Sequence, residues 1–347
     1  MSTKPFIAAR VEEFVDRRLE AFFRALGWRE QVIAYTGYGS GDFLRVMARV
    51  KLVPQWSRSQ LGHATKEFVR RRGWRNFITA PCVRARVTIE VGDRTVSATT
   101  DRGGYLDHRI VDHGLAPGWQ QVTVCGTGSG PVTCDVLVVG ADVRFGLLSD
   151  IDDTVLTTWL PRPMIAAWNS FVRDESNRQS IPGMARFYHR YLDAHPGAPM
   201  FYLSTGAWNT YDFLERFLQR HNYPKGPLLL TDWGPTNTGW FRSGMEHKRT
   251  SLLRLAAEFP QIAWLLVGDD GQHDPEIYAE FANSHPTHVA AVAIRQLSPT
   301  EQVLAHGTNM PLEETDELSG THSSWVEAPD GRGLVARLRT ALGTSTT

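Results

Sequence analysis

Aspartates gather directly after two apolar runs in the second half of the chain. The runs are FGLLS and WLLVG, and the aspartates that follow them are Asp150, Asp152, Asp269, Asp270 and Asp274. Residues i and i+2 of an extended segment point the same way, so Asp150 and Asp152 are expected to face one site. So many like charges are costly without a cation, and ligation by oxygen alone favours Mg²⁺ over Zn²⁺. The pattern therefore predicts a Mg²⁺ site.

Two further segments carry groups that suit an anionic oxygen. The run MFYLS ends in Ser204 and continues as Thr205-Gly206, and Lys248 stands at the start of a later predicted helix. The set matches aspartyl-phosphate chemistry, which uses a carboxylate nucleophile, an acid–base partner two residues on, a hydroxyl donor, a lysine and a metal. Each piece alone is more often a helix cap, a turn or a solvated charge. Their recurrence at four strand ends favours a functional site.

The elements that must position these groups alternate between two periodicities. Strand-like apolar runs occupy 145–149, 200–204, 227–230, 264–268 and 289–294, and helical spacing of apolar residues occupies 183–195, 209–221 and 247–259. Alternating β and α units with continuous apolar strands predict a parallel sheet that is covered on both faces. Ligand sites in such sheets lie at the carboxyl ends of the strands, where the aspartates stand.

The first part of the chain has a different pattern. Apolar and polar residues alternate with a period of two at 44–52 and 83–91. Short strands separated by turn signals predict an antiparallel β-sandwich over 31–142, interrupted by a basic helical insertion near 55–76. Residues 1–30 predict an amphipathic basic helix, which either packs on the neighbouring domain or lies on a membrane surface.

Composition bounds the class of protein. The 347 residues, 42% apolar and 21% charged, suit a globular chain of about two domains. No run approaches the ~18 apolar residues of a membrane span, and the first residues lack the apolar core of a signal peptide. Three cysteines, an odd number, favour a reducing compartment. These features predict a cytoplasmic protein.

The net charge of zero hides an asymmetry along the chain. Residues 1–75 contain 15 Lys and Arg against 7 Asp and Glu, and the remainder contains 22 against 30. Such a basic segment favours an anionic partner, and peripheral contact with an anionic membrane is one form of it. Basic segments also bind nucleic acid, but the sequence has no RNP, helix-turn-helix or zinc-finger pattern. No nucleic acid partner is therefore expected.

The motifs together resemble a known family. DIDDT, FYLST, HK and GDDGQHD look like the four motifs of haloacid-dehalogenase-like phosphohydrolases. A closer resemblance, over 145–297, is to the catalytic domain of the lipin-related actin-patch phosphatidate phosphatase family. The segments that carry it, in chain order, are SDIDDTVL, LSTGAWNTYDFLERFL, PLLLTDWG, EHKRTSLLRL and LLVGDDGQHDPEIYAE. The resemblance implies an α/β fold: a haloacid-dehalogenase-like doubly wound parallel sheet at 143–300, preceded by the β-sandwich-like domain and followed by an extension, 301–347, with a terminal helix.

The same resemblance implies an activity and roles for the carboxylates. Members of the family convert phosphatidate to diacylglycerol and phosphate with Mg²⁺ as cofactor. Asp150 would be the nucleophile, and Asp152 would protonate the departing alkoxide and then activate water. The Asp150 carboxylate, the Asp152 carbonyl and Asp269 would hold the metal. Asp270 or Asp274 would complete the metal shell, and the sequence leaves this choice open because many relatives have serine where this chain has Asp270.

Other residues are expected to contact the substrate. Ser204 and Lys248 would hold the phosphoryl oxygens. The remaining substrate-binding candidates are Thr154, Thr205, Gly206 and Trp208. Trp208 is one of several tryptophans near the motifs that either line the entrance of the site or pack in the core; the others are Trp159, Trp168, Trp233 and Trp240.

Three functions are consistent with the sequence. The first is a Mg²⁺-dependent phosphatidate phosphatase acting at the periphery of a membrane, since only 45 residues (155–199) separate the first two motifs and leave no room for a large cap. The second is a phosphatase of the same chemistry on soluble esters or phosphoproteins. The third is a lipid- or protein-binding module with a vestigial catalytic core, which the intact Asp150, Asp152 and Lys248 argue against.

Overall fold

The structure is a computed structural model and describes residues 18, 20–54, 80–157, 178–231, 242–271, 273–306 and 324–341. The chain divides into two compact units, Met1–Val138 and Val139–Thr347. The division falls at the end of a strand, where the sequence pattern changes from period-two alternation to alternating strands and helices. Each unit has its own sheet.

The first unit contains one eight-stranded sheet. Its strands are β1 (Arg29–Ser40), β2 (Phe43–Val53), β3 (Ala80–Pro81), β4 (Arg86–Val91), β5 (Arg94–Thr99), β6 (Tyr105–Val111), β7 (Gly118–Gly126) and β8 (Val132–Val139). They follow the order β3-β2-β1-β8-β7-β4-β5, and β6 pairs with β2 off this path. Alternate residues of β2, such as Leu44, Val46 and Val50, lie in a core shared with β4, β7 and β8. The period-two pattern thus marks the buried side of the strand.

The predicted fold class, a haloacid-dehalogenase-like doubly wound parallel sheet preceded by a β-sandwich, was wrong. The structure has one curled, branched sheet of eight strands and a separate parallel sheet of six. The long strand β2 pairs with β1, β3 and β6 along its length, all antiparallel, so strands that were expected in two sheets belong to one. Alternating hydrophobicity shows which face of a strand is apolar, but it does not fix the partners of that strand.

The helix predicted in residues 1–30 is described only in part. Residues 20–25 are helical, and Phe23 packs against Trp28, with ring centroids 4.4 Å apart, at the edge of the first unit's core. Phe22 and Leu26 are 57% and 59% exposed. Residues 1–17 and the predicted insertion near 55–76 lie outside the described residues.

The second unit contains a six-stranded parallel sheet. Its strands are β9 (Phe145–Asp150), β10 (Met200–Ala207), β11 (Leu228–Thr231), β12 (Ala263–Asp269), β13 (Val289–Arg295) and β14 (Ser324–Ala328). Their order is β11-β10-β9-β12-β13-β14, and all of the pairs are parallel. Each of the five predicted strands is present, and β14 is an addition. Because β9 lies between β10 and β12, the carboxyl ends of these three strands are neighbours.

Helices cover this sheet. They are α1 (Met184–Ala194), α2 (Tyr211–Arg220), α3 (Arg242–Glu258), α4 (Asp274–Ser284), α5 (Pro299–His306) and α6 (Gly331–Ala341). Helices α1 and α6 contact each other, as do α3 and α4, while α1 lies on β9 and α3 on β10. The apolar residues of α1 that the sequence spacing singles out, such as Phe187 and Tyr188, are buried. Among the described residues, no helix has the length and apolar character needed to cross a bilayer.

Candidate active site

The loop that follows β9 is folded so that its acidic side chains turn into the sheet edge. Asp150 is the last residue of β9 and is 1% exposed. The N–H of Val155 donates to the carbonyl of Ile151 over 2.9 Å, which closes a tight turn. Asp153 lies inside this turn with a φ of 58°, a left-handed conformation that aspartate tolerates better than most residues. The turn thereby reverses the chain within a few residues.

Two buried side chains that the sequence analysis missed fix this loop. Arg295, at the end of β13, donates from its guanidinium to the Asp153 carbonyl over 2.6 Å and is ion-paired with Glu301 at 2.7 Å. The Tyr223 hydroxyl donates to the Val155 carbonyl over 2.9 Å. Arg295 follows the apolar run VAAVAI at a strand end, the same signal that revealed the aspartates. Nothing in the local sequence marks Tyr223.

Lys248, a residue of α3, links the end of β9 to the start of α4. Its ammonium lies 2.6 Å from Oδ1 of Asp150 and also donates to Oδ1 of Asp274, the first residue of α4. Asp269 ends β12, and its backbone N–H is 3.4 Å from Oδ2 of Asp274. All four side chains are buried. One lysine thus neutralises part of a cluster in which carboxylates would otherwise repel one another.

Three of the carboxylates are placed to share a cation. One oxygen from each of Asp150, Asp269 and Asp274 lies within 4.8 Å of the others. Oδ2 of Asp150 is buried and accepts no hydrogen bond from any described residue. Buried carboxylates this close repel one another strongly, and a divalent cation at this place would neutralise part of their charge. The candidate metal ligands are all carboxylate oxygens, which Mg²⁺ prefers.

Asp152 and Ser204 face each other across the adjacent strand ends. The Ser204 hydroxyl donates to Oδ2 of Asp152 over 2.9 Å, and the Gly206 N–H donates to the Ser204 oxygen over 2.9 Å. Oδ1 of Asp152 is buried, and no described residue donates to it. A Cβ at Gly206 would come within 3.1 Å of Ser204 Oγ, so the missing side chain leaves room for this contact.

The predicted substrate-binding residues occupy different places around these carboxylates. Thr154 is fully buried, and its hydroxyl is 3.4 Å from Oδ2 of Asp269. The carbonyls of Thr205 and Gly206 accept hydrogen bonds from the hydroxyl of Thr231. Trp208 is half-buried and stacks on Tyr211. The tryptophans at 159, 168, 233 and 240 lie outside the described residues.

Asp270 is separated from the carboxylate cluster by its own hydrogen bond. Its Oδ1 accepts the N–H of Leu297 over 2.8 Å, and its backbone N–H donates to the carbonyl of Arg295 over 3.0 Å. Of the two candidates for completing the metal shell, Asp274 is therefore the one that lies with Asp150 and Asp269.

Burial shifts the acid–base behaviour of the cluster. Removal from water raises the pKa of Asp150 well above its usual range, Lys248 opposes this, and the charge of Asp274 adds to it. Burial likewise raises the pKa of Asp269, with further repulsion from Asp274 and Asp150. Burial alone would lower the pKa of Lys248, but the surrounding carboxylates raise it above its usual value. The lysine therefore stays charged, while Asp150 and Asp269 hold protons more readily than usual when no metal is present.

The sequence analysis also missed Arg178, a half-buried cation near Asp152. Burial raises the pKa of Asp152, and the hydroxyl of Ser204 and then the charge of Arg178 oppose that shift. Arg178 lies over the ring of Phe213, with 5.0 Å between the guanidinium carbon and the ring centroid. The sequence around Arg178 contains no motif that points to it.

Comparison with known proteins agrees with the motif pattern. Residues 145–296 match the family described as Phosphatidate phosphatase APP1, catalytic domain. Over 152 residues the chain is 30% identical to Phosphatidate phosphatase APP1 of Saccharomyces cerevisiae, an alignment that covers 43% of this chain and 25% of that protein. Residues 145–296 are thus similar to the catalytic domain of the actin-patch phosphatidate phosphatase family. The family prediction is thereby confirmed for this stretch.

A second relative shows the same extent of similarity. An uncharacterised protein of Schizosaccharomyces pombe is 25% identical over 152 residues, covering 44% of this chain and 25% of that protein. The chain thus spans about a quarter of the length of the curated relatives it matches. All of the carboxylates described above, with Ser204 and Lys248, fall inside the matched stretch.

Solved structures resemble the chain only distantly. A carbohydrate acetylesterase from Xanthomonas citri aligns with a TM-score of 0.28 and 11% identity, over 91% of this chain and 76% of that chain. A second carbohydrate esterase aligns with a TM-score of 0.25 and 9% identity, over 91% of this chain and 97% of that chain. TM-scores this low support no inference about this chain.

The raised pKa values predict how the metal-free protein responds to pH. Below a pH of about 4 the carboxyl of Asp269 is protonated in the folded and the unfolded chain alike. Above that value the unfolded chain loses the proton and the folded chain keeps it, because burial raises the folded pKa. The free energy of unfolding therefore decreases as pH rises through this window. With a chelator present, we expect a lower urea midpoint at pH 8 than at pH 5.

Asp269→Asn isolates this contribution, because asparagine has no proton to lose. The variant should show a smaller decrease between pH 5 and pH 8 than the wild type. Asp193→Asn, which changes an exposed carboxyl of α1, should show the decrease of the wild type. An unchanged pH dependence in Asp269→Asn would contradict the account of the buried cluster.

The positions of Asp274 and Asp270 predict which of their variants binds the metal more weakly. Asp274→Asn should weaken Mg²⁺ or Mn²⁺ binding by at least about tenfold, since even partners of metal ligands contribute that much. Asp270→Asn should leave the affinity within about threefold, because its carboxylate is engaged by Leu297. Isothermal titration calorimetry measures both. The reverse ranking would assign the metal to Asp270.

Proposed function

We propose that the second unit hydrolyses a phosphate monoester with Mg²⁺ as cofactor, through a phosphoryl group carried on Asp150. The observation that carries the proposal is the state of the Asp150 carboxylate. One oxygen is held at 2.6 Å by Lys248, and the other is buried without a hydrogen-bond donor among the described residues. A carboxylate fixed by one oxygen and open at the other is arranged as a nucleophile.

The surroundings of Asp150 prepare it to attack phosphorus. Lys248 keeps its positive charge and holds Oδ1, so that Oδ2 is the oxygen left to form the new bond. The hydrogen bonds from Arg295 and Tyr223 to the following loop fix the direction of the carboxylate. Positioning of this kind lowers the barrier because the reacting groups are held together before reaction.

Asp152 is suited to move the proton in both halves of the reaction. Its raised pKa keeps the carboxyl protonated more readily than in water, and its Oδ1 is directed away from Ser204. It would give this proton to the alkoxide as the bond to phosphorus breaks, and then take one from the water that hydrolyses the phosphoryl-aspartate. Ser204 holds the other oxygen and so sets the orientation of the carboxyl.

The carboxylates of Asp150, Asp269 and Asp274 would hold the metal. The fit rests on their mutual distances and on the negative charge of the cluster, which Lys248 offsets only in part. When bound, Mg²⁺ would neutralise negative charge on the phosphoryl oxygens. The hydroxyl of Thr154, which contacts Asp269, would hold that carboxylate in place.

Phosphatidate is the substrate we propose. The support is the similarity of residues 145–296 to the yeast phosphatidate phosphatase. Phosphatidate is an alkyl phosphate monoester, whose poor leaving group needs the proton that Asp152 is placed to deliver. Soluble esters and phosphoproteins would undergo the same chemistry, and a direct comparison of substrates separates these cases.

Substitution of the two aspartates tests the reaction. Asp150→Asn should lower phosphate release from phosphatidate micelles by a factor of about 10³ or more, because the nucleophile is lost. Asp152→Asn should slow phosphoryl transfer to Asp150 about 10²-fold or more with phosphatidate but much less with an aryl phosphate, since an aryl leaving group needs little protonation. Mg²⁺-dependent phosphate release from phosphatidate, an aryl phosphate and phosphopeptides measures the first effect, and release of the leaving group in the first turnover measures the second. Turnover that persists in Asp150→Asn would exclude this nucleophile, and equal losses on both esters would exclude the acid role of Asp152.

We also propose that residues 1–30 contact an anionic membrane surface. Phe22 and Leu26 are exposed one turn apart, since the N–H of Leu26 donates to the carbonyl of Phe22, and the segment 1–75 is basic. An exposed apolar stripe in a basic segment is typical of an interfacial helix.

Introducing negative charge at Phe22 and Leu26 tests the membrane contact. The double change Phe22→Glu with Leu26→Glu should weaken sedimentation with phosphatidate-containing vesicles about tenfold or more, because two apolar side chains no longer enter the interface. Val111→Glu is the matched control, since Val111 is an exposed apolar residue of the same unit. Equal vesicle binding by both variants would refute the membrane contact.

A further inference from the structure

Arg178 is held beside the Asp152 loop by main-chain hydrogen bonds. The N–H of Thr157 donates to the carbonyl of Gln179 over 3.0 Å, and the N–H of Ile181 donates to the carbonyl of Val155 over 3.1 Å. Residues 179–181 therefore run alongside residues 155–157, which follow the first motif, DIDDT. Its backbone is fixed relative to Asp152, although more than 20 residues of sequence separate the two.

A second set of contacts fixes the same segment from behind. The Tyr223 hydroxyl, which donates to the Val155 carbonyl, is 2.9 Å from the Ser180 hydroxyl. The guanidinium of Arg178 lies over the ring of Phe213 on α2, and Phe213 itself is buried. Stacking on a buried ring restricts the guanidinium in a way that an exposed surface arginine is not restricted. Arg178 is thus positioned by its main chain and by its side chain.

Among the described residues, Lys248, Arg295 and Arg178 are cations near the carboxylates. Lys248 lies between Asp150 and Asp274, and Arg295 is ion-paired with Glu301. Both of these cations lie against carboxylates. The charge of Arg178 acts on Asp152 and Asp153. A phosphoryl group that enters here brings two negative charges into a space already lined by buried aspartates.

We propose that Arg178 binds the phosphoryl group of the substrate on the Asp152 side of the site. Its planar guanidinium donates two hydrogen bonds to phosphoryl oxygens, a geometry that arginine provides and lysine does not. Lys248 and the metal hold the group from the Asp150 side, and Arg178 holds it from the other. This inference rests on the proposed function and names the residue that sets affinity for the dianionic phosphoryl group.

Binding of inorganic phosphate tests the inference without turnover. Isothermal titration calorimetry in the presence of Mg²⁺ compares the wild type with Arg178→Met, Arg178→Lys and Arg186→Met. Arg178→Met should bind phosphate about 10- to 100-fold more weakly, since charge-assisted hydrogen bonds to the anion are lost. Arg178→Lys should be intermediate, because it keeps the charge but loses the paired donors. Arg186→Met removes an exposed arginine of α1 and should bind phosphate as the wild type does.

Mg²⁺ affinity and circular dichroism distinguish binding from a structural role. If Arg178 binds phosphate, the folded Arg178→Met and Arg178→Lys variants keep the Mg²⁺ affinity of the wild type and lose phosphate affinity in that order. Wild-type phosphate affinity in either folded variant would overturn the inference. Hydrolysis is measured separately: absence of turnover by the wild type on all phosphate esters would contradict the proposed function, while the phosphate-binding comparison would still decide the role of Arg178.

Discussion

The repulsion among three buried carboxylates is the constraint around which the second unit is built. Asp150, Asp269 and Asp274 lie close enough to share one cation, and Lys248 offsets only part of their charge. In a medium of low polarity such repulsion is far stronger than in water. The arrangement is stable only if protons or a metal supply the missing positive charge. The same deficit that makes the cluster costly would favour the binding of a divalent cation, as we propose.

The order of the strands explains why these residues meet at all. β9 lies between β10 and β12, so Asp150 stands beside the ends of two strands that carry Ser204 and Asp269. Parallel strands direct all of their carboxyl ends to one edge, and the chain reverses its direction of progress across the sheet at this point. Residues more than 100 positions apart in sequence thereby become neighbours. Arg295, the last residue of β13, fixes the loop that follows β9 through its hydrogen bond to the Asp153 carbonyl.

The sequence predicted that the aspartates lie close together, but it did not predict the sheet of the first unit correctly. Asp150, Asp152 and Asp269 follow apolar strands, and that pattern alone brings them to one edge. The choice between Asp270 and Asp274 needed the structure, because it depends on a hydrogen bond from Leu297. Arg178 reaches the site through main-chain pairing with distant residues, which leaves no local pattern. For the same reason the partners of β2 could not be derived, and the predicted sandwich was wrong.

The covalent role of Asp150 is the central claim, because the open oxygen, the lysine and the metal site all serve it. Rapid acid quench during turnover of phosphatidate, followed by peptide mass spectrometry, locates any phosphoryl group on the enzyme. The account predicts a phosphorylated peptide with the modification on Asp150. In Asp152→Asn this peptide should accumulate from an aryl phosphate, whose leaving group needs little protonation, because water is no longer activated. Phosphorylation of another side chain, or turnover with no phosphorylated peptide in either protein, would contradict it.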